Sequence, residues 1–318
     1  MNSATVTSRQ QLIGDAVRPS GSVDLRAKCG KQATWLNRSC QRLVLGRLSS
    51  LKHGQIRLND QCGTYVLGKN SHDDLQAKID VRHPRFYRRL VTGRDLGLAE
   101  AYLDGDFDCD DLPSLFRIFC RNLDWHHTFG KTLELATRAG ARIGYWLARN
   151  TRAGSCRNIG AHYDLGNEFF ELFLDPRMMY SSAIFDDTDM SLARLLNPNG
   201  RMLLQAIVMP EQRYSGYLKS VDFIQKYIFP GGCLPSVIAM QNSMTRNSSL
   251  RLLSMHDFAD GYARTLREWR RSFLERQEDV RRLGYSERFI RLWDYYLTYC
   301  EGAFEERAVG VVQAVWGR

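Results

Sequence analysis

One run of the sequence gathers more polar and aromatic side chains than its neighbours. HYDLGNEFFELFLDPRMMYSSAIF, residues 162–185, holds a Phe pair, a Gly-Asn turn, a Met pair and a Ser pair. Tyrosine and serine hydroxyls donate and accept hydrogen bonds, and aromatic faces stabilise positive charge. Asn167 can cap a short helix over 168–173, where Phe169, Phe170 and Phe173 share a side. For those three phenylalanines we favour core packing over a ligand site.

Other candidate groups have structural interpretations. The loop PGGCLPS, residues 230–236, has two glycines but no following lysine or helix start, so it predicts a rigid turn and not a phosphate cradle. The eight cysteines are scattered without a Cys-x-x-Cys pair, which favours reduced thiols over a disulfide framework or a zinc site. His126 and His127 are adjacent, a poor arrangement for two ligands on one helix face.

Length and charge restrict the class of protein. A chain of 318 residues with 44% hydrophobic residues predicts about two domains with a sizeable core. Neither a secretory signal nor an apolar run of roughly 18 residues is present, so we expect a cytoplasmic protein. The net charge of +9 suits an anionic partner. Without a nucleic-acid-binding motif, a membrane surface is favoured over nucleic acid, and a merely solvated basic surface stays open.

The first half predicts a basic tail and a small domain. Residues 1–32 are polar and basic, and we expect them to be poorly ordered. Residues 33–150 predict an α+β domain with one amphipathic helix, three short strands, a helix beginning after Pro84, two short helices around Gly105 and a longer helix over 129–149. The second of the two short helices has Asp110 or Asp111 near its cap. The first helix has a single apolar face made of Leu36, Cys40, Val44, Leu48 and Leu51.

The second half alternates turns, strands and helices. Asn-Pro-Asn-Gly at 197–200 predicts a turn, and the following stretch, 202–209, a mostly buried strand. A charged helix is expected over 263–283, with Leu266, Trp269, Phe273 and Val280 on one face. A second helix follows over 287–305, and VGVVQAVW near the end predicts a strand.

Four of these stretches carry a resemblance to a known family. HYDLGNEFFELFLDPRMMYSSAIF, SVDFIQKYIFPGGCLPSV, YARTLREWRRSF and YYLTYCEGAFEER resemble, in this order, the cyclopropane-fatty-acyl-phospholipid synthase family and the related mycolic acid methyltransferases. GLAEAYLDGDFDCDDL is similar to the N-terminal domain of the longer members. The resemblance covers roughly residues 33–318 and implies S-adenosylmethionine and bicarbonate as cofactors.

The fold implied is α/β: a small N-terminal α+β domain, then a Rossmann-like class I methyltransferase domain over 151–318. That domain is truncated and lacks its first strands. In the family, a glycine-rich turn similar to LDIGCGWGG ends the first strand and approaches the cofactor. Here only SLARLLNPNG with a few flanking residues stands in its place. At ~30 residues per βαβ unit, on the order of 100 residues are missing, between about 190 and 200.

The resemblance also implies a set of site residues. The family transfers a methyl group to an acyl-chain double bond, and a base then removes a proton from the resulting carbocation. Tyr180 and Ser181 match positions that contact S-adenosylmethionine, and Ser182 matches one that touches bicarbonate. Gln205 stands where some members have a bicarbonate-holding His, and Ile207 matches a backbone contact. An ordinary strand is the alternative for Gln205 and Ile207.

Two further residues match the family's site from the C-terminal helices. Tyr262 matches a tyrosine that hydrogen-bonds the bicarbonate; packing at a helix start is its alternative. Cys300, in YYLTYCEGAF, matches the cysteine often assigned to the active site. A lone cysteine on an apolar helix is more often a small buried hydrophobe, so its catalytic role is the weaker interpretation.

Three functional hypotheses follow. The first is a lipid-modifying methyltransferase acting on unsaturated phospholipid acyl chains, with transient contact to an anionic membrane surface. The second is a non-catalytic remnant that binds lipid or a partner chain, with a homodimer as one option. The third is a shortened chain that does not fold stably, because helices have lost the sheet that they cover. With the cofactor segment missing, we expect the chain alone to be inactive.

Overall fold

The computed structural model describes residues 35–69, 75–122, 167–174, 196–197 and 199–318. The predicted basic tail, the predicted helix over 129–149 and the histidine pair lie outside these ranges, as do Tyr180, Ser181 and Ser182. The expected domain boundaries, 33–150 and 151–318, therefore remain predictions.

The N-terminal elements build a four-stranded sheet with three helices. In chain order they are α1 (Trp35–Leu48), β1 (Gln55–Asp60), β2 (Gly63–Gly68), β3 (Gln76–Val81), α2 (Arg85–Leu103), β4 (Phe107–Cys109) and α3 (Leu112–Arg121). The strand order is β2-β1-β3-β4, with β1 and β3 parallel and the outer pairs antiparallel. We call this sheet the N-terminal sheet.

Alternating apolar residues place this sheet on its core. Ile56 and Leu58 of β1 are both fully buried, and Ile79 of β3 is almost so. The predicted face of α1 is confirmed from Cys40 onward, but Leu36 is 42% exposed, so its inclusion was wrong. It lies in the first turn of α1, before the helix reaches the sheet.

Helix α2 joins the two helices predicted before Gly105, one beginning after Pro84 and one ending at the Gly105 turn. It runs as one element interrupted by a kink at Arg94, whose φ of 50° is non-helical. Gly97 follows the kink, and a Cβ there would lie 1.9 Å from the Arg89 carbonyl oxygen, so only glycine fits. The chain then turns at Gly105 into β4, a strand that the sequence did not predict. Asp111 caps α3 as expected, because its side chain accepts a hydrogen bond from the Ser114 N–H.

The C-terminal elements begin with a short helix and end with a strand. They are α4 (Asn167–Phe170), β5 (Arg201–Val208), α5 (Glu211–Tyr217), a π-helical turn (Ile224–Ile228), α6 (Val237–Asn247), β6 (Arg251–Asp257), α7 (Ala259–Glu275), α8 (Gln277–Arg282), α9 (Glu287–Glu305) and β7 (Gly310–Gly317). The single helix predicted over 263–283 is two helices that meet at Arg276. Helix α9 and strand β7 are confirmed.

Strands β5, β7 and β6 form a second, smaller sheet, the C-terminal sheet. Strand β7 lies in the middle and is antiparallel to both neighbours. Helix α6 covers one face, where Met240 packs with Val208 and Val312. The prediction of a mostly buried β5 was wrong: its residues alternate in exposure, and Leu203 is 62% exposed. Strand β6 is exposed at every position.

Helix α9 joins the two halves in one hydrophobic core. Its Tyr295 packs edge-on against Phe116 of α3, with ring centroids 4.9 Å apart, and against Phe223 at 4.7 Å. Phe169, Phe170 and Phe173 are buried, and all three contact the Trp293 ring of α9. The core interpretation of these three phenylalanines is confirmed.

Charged side chains fasten α9 to the N-terminal elements. Arg291 stacks over the Tyr102 ring and donates to Asp108 at 3.0 Å. Arg117 donates to Glu306, just beyond α9, at 2.7 Å. Arginine is well suited to such partly buried pairs because its planar guanidinium donates in several directions.

Two further observations bear on the sequence predictions. Cys62 takes part in a disulfide whose partner lies outside the described residues, so the expectation of reduced thiols throughout was wrong. Cys40, Cys109, Cys120, Cys233 and Cys300 are free thiols. Within the described ranges, none of the helices combines the length and apolar composition needed to cross a bilayer.

Candidate functional site

Tyr262 and Cys300 lie close together where α7 begins and α9 ends. Tyr262 occupies the first turn of α7, and its ring packs on Phe304 of α9 with centroids 4.8 Å apart. Phe304 stands one helical turn after Cys300 on α9, so Tyr262 and Cys300 lie near one another. The antiparallel packing of α7 on α9 thus gathers two of the predicted site residues.

An acidic residue that the sequence analysis missed faces the same region. Asp222 precedes the π-helical turn, and its carboxylate accepts a hydrogen bond from the Gln225 N–H at 2.8 Å. The Gln225 side chain accepts one from the Asp222 N–H at 3.0 Å. This reciprocal pair is a capping-box arrangement. The signal was present as Asp-Phe-Ile-Gln, an acid followed three residues later by glutamine.

Burial raises the pKa of the titratable groups of this region. It raises the pKa of the Cys300 thiol, and the negative charge of Asp222 raises it further. Burial likewise raises the pKa of Tyr262, of Tyr299 and of Asp222 itself. Because the thiolate is the reactive form of cysteine, Cys300 is poorly suited to act as a nucleophile. Tyr262 and Cys300 can donate hydrogen bonds in apolar surroundings. This would support binding of a ligand, but it does not supply a nucleophile.

Ile207 and Gln205 both lie on β5 of the C-terminal sheet, but they differ in burial. Ile207 of β5 is partly buried and packs on the main core, opposite Val311 of β7. The Val311 carbonyl accepts from the N–H of Phe258, which precedes α7, so Ile207 lies near the start of that helix. Gln205 is exposed, and its side-chain oxygen accepts from Gln313 at 3.1 Å.

The exposed face of the C-terminal sheet extends this polar row. Gln313 of β7 pairs with Gln205 on one side and with His256 of β6 on the other. The His256 ring stacks on Phe258 with centroids 6.3 Å apart. Strand β6 was not predicted, so His256 was not a candidate; Gln313 lies on the predicted β7 but was not singled out. The alternation of β6 is obscured by a bulge between Leu252 and Ser254.

The described residues do not fit an S-adenosylmethionine site. A doubly wound fold holds such a cofactor at the carboxyl end of parallel strands, against a glycine-rich turn. In the C-terminal sheet, each strand pair is antiparallel. Strand β5 ends at Val208 and is followed by Met209 and Pro210. The one glycine adjoining β5, Gly200, precedes the strand. Of the predicted cofactor contacts, Tyr180 and Ser181 lie outside the described residues.

The sequence nevertheless matches a single protein family over more than half its length. The family described as mycolic acid cyclopropane synthetase matches residues 150–194 and 191–314. The chain belongs to this family. Its members are S-adenosylmethionine-dependent cyclopropane synthases that act on lipid acyl chains. The two matched segments overlap at residues 191–194, inside the stretch where the family's glycine-rich cofactor turn was expected to be missing.

Relatives match the chain to different extents. The cyclopropane-fatty-acyl-phospholipid synthase of Escherichia coli K12 is 28% identical over 347 positions, covering 76% of this chain and 88% of the relative. The tuberculostearic acid methyltransferase UfaA1 of Mycobacterium tuberculosis is 38% identical over 123 residues, covering 39% of this chain and 29% of the relative. The solved cyclopropane synthase MmaA2 of M. tuberculosis superimposes on 51% of this chain and 98% of its own, with 18% identity and a TM-score of 0.42.

The alignment with the E. coli enzyme shows how much of the chain is missing. It runs over 347 positions, whereas 76% of this 318-residue chain is about 240 residues. About 100 aligned positions therefore have no residue of this chain opposite them. The protein is an internally shortened member of its family. The place of the missing segment, between about 190 and 200, stays a prediction.

Proposed function

We propose that this protein is a non-catalytic member of the cyclopropane synthase family that binds lipid and transfers no methyl group by itself. The observation that carries the proposal is the C-terminal sheet: three antiparallel-paired strands, in a chain that lacks about 100 positions of a full-length relative. Those positions are expected to hold the glycine turn and the main cofactor contacts. Without them, a methyl donor cannot be positioned.

Loss of positioning is enough to abolish turnover. Correct placement of two reactants is worth up to ~7–11 kcal/mol in well-oriented systems. The residues that remain for the predicted site, Ser182, Gln205 and Tyr262, would gather an anion at most. We expect a negative charge on Asp222 to oppose binding of the bicarbonate that the family resemblance implies, because like charges repel.

Two measurements test the proposal. Titration calorimetry should detect no binding of S-adenosylmethionine by the purified chain, while the E. coli synthase binds it. Labelled-methyl incorporation into unsaturated phospholipid should not exceed that of a Ser182→Ala, Tyr262→Phe double variant. Turnover above that baseline would show that the shortened fold rebuilds a cofactor site, and the alternative function, active cyclopropane synthesis, would replace ours.

Lipid binding is the second part of the proposal. It is supported by the family's acyl-lipid substrates and by the net charge of +9. We expect the protein to co-sediment with anionic vesicles at 0.1 M salt and far less at 1 M, because the Debye length falls from about 10 Å to about 3 Å. An absence of co-sedimentation at low salt would contradict this part.

A further inference from the structure

One end of the C-terminal sheet brings two exposed arginines together, and a third exposed arginine lies nearby in the sequence. Strand β5 begins at Arg201 and β6 at Arg251, and both residues lie opposite Gly317 of the central strand. With neighbouring strands about 4.8 Å apart, their Cα atoms are separated by about 10 Å. Arg246, in the last turn of α6, lies five residues before Arg251. We name this surface, with Leu203 and Leu253, the arginine–leucine end.

These three arginines differ from most others in the molecule. Within the described ranges, none of them forms an ion pair, whereas Arg267 and Arg270 of α7 reach carboxylates at 2.8 and 2.7 Å. Segments 196–205, 244–254 and 313–318 contain no Asp or Glu. The acid that closes β6, Asp257, stands six residues from Arg251, about 20 Å along the strand at ~3.3 Å per residue. Within these segments, the charge of the three arginines is therefore not compensated by an acidic side chain.

Exposed leucines accompany the arginines. Both outer strands begin with the pattern Arg-x-Leu, Arg201 to Leu203 in β5 and Arg251 to Leu253 in β6. Leu203 is 62% exposed and Leu253 49%. A Cβ on Gly317 would lie 2.8 Å from the Leu253 side chain, so glycine at 317 lets that leucine lie across the end of the sheet. The result is a small apolar surface ringed by positive charge.

This combination fits an anionic membrane surface better than the other partners that a basic surface can take. Arginine reaches lipid phosphates while an adjacent leucine enters the boundary of the acyl chains. A nucleic acid would use the charge but not the leucines, and among the described residues of this end no exposed aromatic ring is available for base stacking. A second copy meeting the same surface would oppose arginine with arginine.

We propose that the arginine–leucine end is the surface by which this protein docks on anionic phospholipid bilayers. The inference rests on the lipid binding proposed above and adds to it a specific face. Docking there would lay the ends of β5 and β6 on the headgroups. Each basic residue near such a surface strengthens partition by about fivefold, so losing three should weaken it at least tenfold.

Charge-matched variants test the position of the surface. The first carries Arg201→Gln, Arg246→Gln and Arg251→Gln. The control carries three substitutions that remove equal charge from exposed arginines elsewhere that also lack ion pairs: Arg57→Gln, Arg264→Gln and Arg276→Gln. Partition onto vesicles of phosphatidylglycerol and phosphatidylcholine is measured by co-sedimentation at 0.1 M salt, and folding by circular dichroism.

The expected result is at least a tenfold loss of partition for the first variant and less than threefold for the control. Equal losses would mean that net charge alone attracts the protein, which overturns the inference but leaves lipid binding intact. No sedimentation of the unmodified protein would overturn both. A first variant that loses its fold is replaced by the single substitutions Arg201→Gln and Arg251→Gln, each expected to lose about fivefold.

The leucines supply a second, salt-independent readout. The double variant Leu203→Ser, Leu253→Ser should lower the partition that remains at 1 M salt. The binding that survives high salt comes from apolar contact and not from charge. The control is the double variant Leu43→Ser, Leu283→Ser, which changes two exposed leucines far in sequence from Leu203 and Leu253. It should leave the partition at 1 M salt unchanged. Sedimentation velocity is measured for the unmodified protein and for the arginine variant. If the unmodified protein self-associates and the variant does not, the surface binds a second copy, which would contradict docking on lipid.

Discussion

The N-terminal and C-terminal sheets are built from similar sequence patterns and reach different degrees of burial. In the first, β1 has a neighbour on each side, and its Ile56 and Leu58 are fully buried. In the second, β5 and β6 are both outer strands; β6 is exposed along its whole length, and Leu203 of β5 is 62% exposed. Alternation puts side chains on one face, but neighbouring elements decide whether that face is covered.

We expect the difference to follow from the missing segment. A mainly parallel sheet is covered on both faces by the helices that connect its strands. About 100 positions of the E. coli relative have no counterpart here, and we expect them to include such strands with their connections. What remains of the C-terminal sheet keeps α6 on one face, and at its α7 end touches the main core through Ile207 and Val311. The rest of the face that carries Ile207, including Gln205, is exposed to solvent.

The sharpest test of this contrast uses one substitution in both sheets. Leu58→Ala removes a fully buried side chain from the N-terminal sheet and should lower the free energy of unfolding by about 2–5 kcal/mol. Leu203→Ala removes an exposed one and should cost within about 0.5 kcal/mol. Urea unfolding followed by circular dichroism measures both. Equal costs would show that β5 is covered in solution, against the structure.

A second pair of variants compares the carboxylates of the two regions. Asp106, before β4, is fully buried and accepts hydrogen bonds from Arg85 and, at 2.9 Å, from Arg89. Asp257, at the end of β6, has a partly exposed side chain that pairs with Arg307 at 2.6 Å.

Asp106→Asn should cost about 1.5–3 kcal/mol of unfolding free energy, because charged hydrogen bonds in a buried site are lost. Asp257→Asn should cost at most about 1 kcal/mol, the usual range for an exposed pair. Thermal unfolding at constant pH compares them. A costlier Asp257→Asn would mean that the end of β6 is as tightly held as the N-terminal sheet.

Helix α9 supplies a pH-dependent comparison with opposite signs. Glu301 is buried, and burial raises its pKa above the ordinary 4.5, more than the hydrogen bond from Arg267 lowers it. One of its carboxylate oxygens has no hydrogen-bond partner among the described residues. At Glu306, burial would also raise the pKa, but hydrogen bonds from Arg121 and Arg117 outweigh it and lower the pKa.

The sign follows from proton uptake in each state. A raised pKa means that the folded state holds its proton longer, so the stability from Glu301 is present below pH 4.5 and is lost as pH rises through the folded-state pKa. Glu301→Gln should therefore gain stability relative to the parent above pH 4.5. Glu306→Gln should lose it over the same range. Unfolding free energies at several pH values decide; parallel profiles would refute the assignment.

Sequence patterns predicted the elements that carry a clear local signal. Strands β1 to β3, helix α9 and strand β7 were found because each has a regular apolar face and clear end signals. Strand β4 was missed because three residues are too few for a periodic pattern. Two helices were predicted where α2 lies, but no residue type signals that the break between them is a kink with a positive φ at Arg94.

The candidate site was predictable only in part. Tyr262 and Cys300 came from the family resemblance, and the structure places them near one another. Asp222 was missed because a capping acid looks alike whether or not its helix turn faces a site. The exposure of β5 depends on strands that are absent, which local alternation cannot report. Whether any of these residues binds cofactor stays a prediction.

The smallest expected effect concerns Gln205, the site residue on the open part of the C-terminal sheet. Gln205→Ala removes one exposed hydrogen bond from Gln313 and should change the free energy of unfolding by less than about 0.5 kcal/mol. Tyr262→Phe, which removes a hydroxyl from a partly buried position, is the comparison and should cost about 1 kcal/mol. Both are read from urea midpoints in bicarbonate-free buffer and again with added bicarbonate. If Gln205 faces solvent as the structure shows, its variant responds to bicarbonate as the parent does. A midpoint that rises with bicarbonate in the parent but not in Gln205→Ala would mean that Gln205 holds an anion, and the open face of the C-terminal sheet would then be part of the family's site after all.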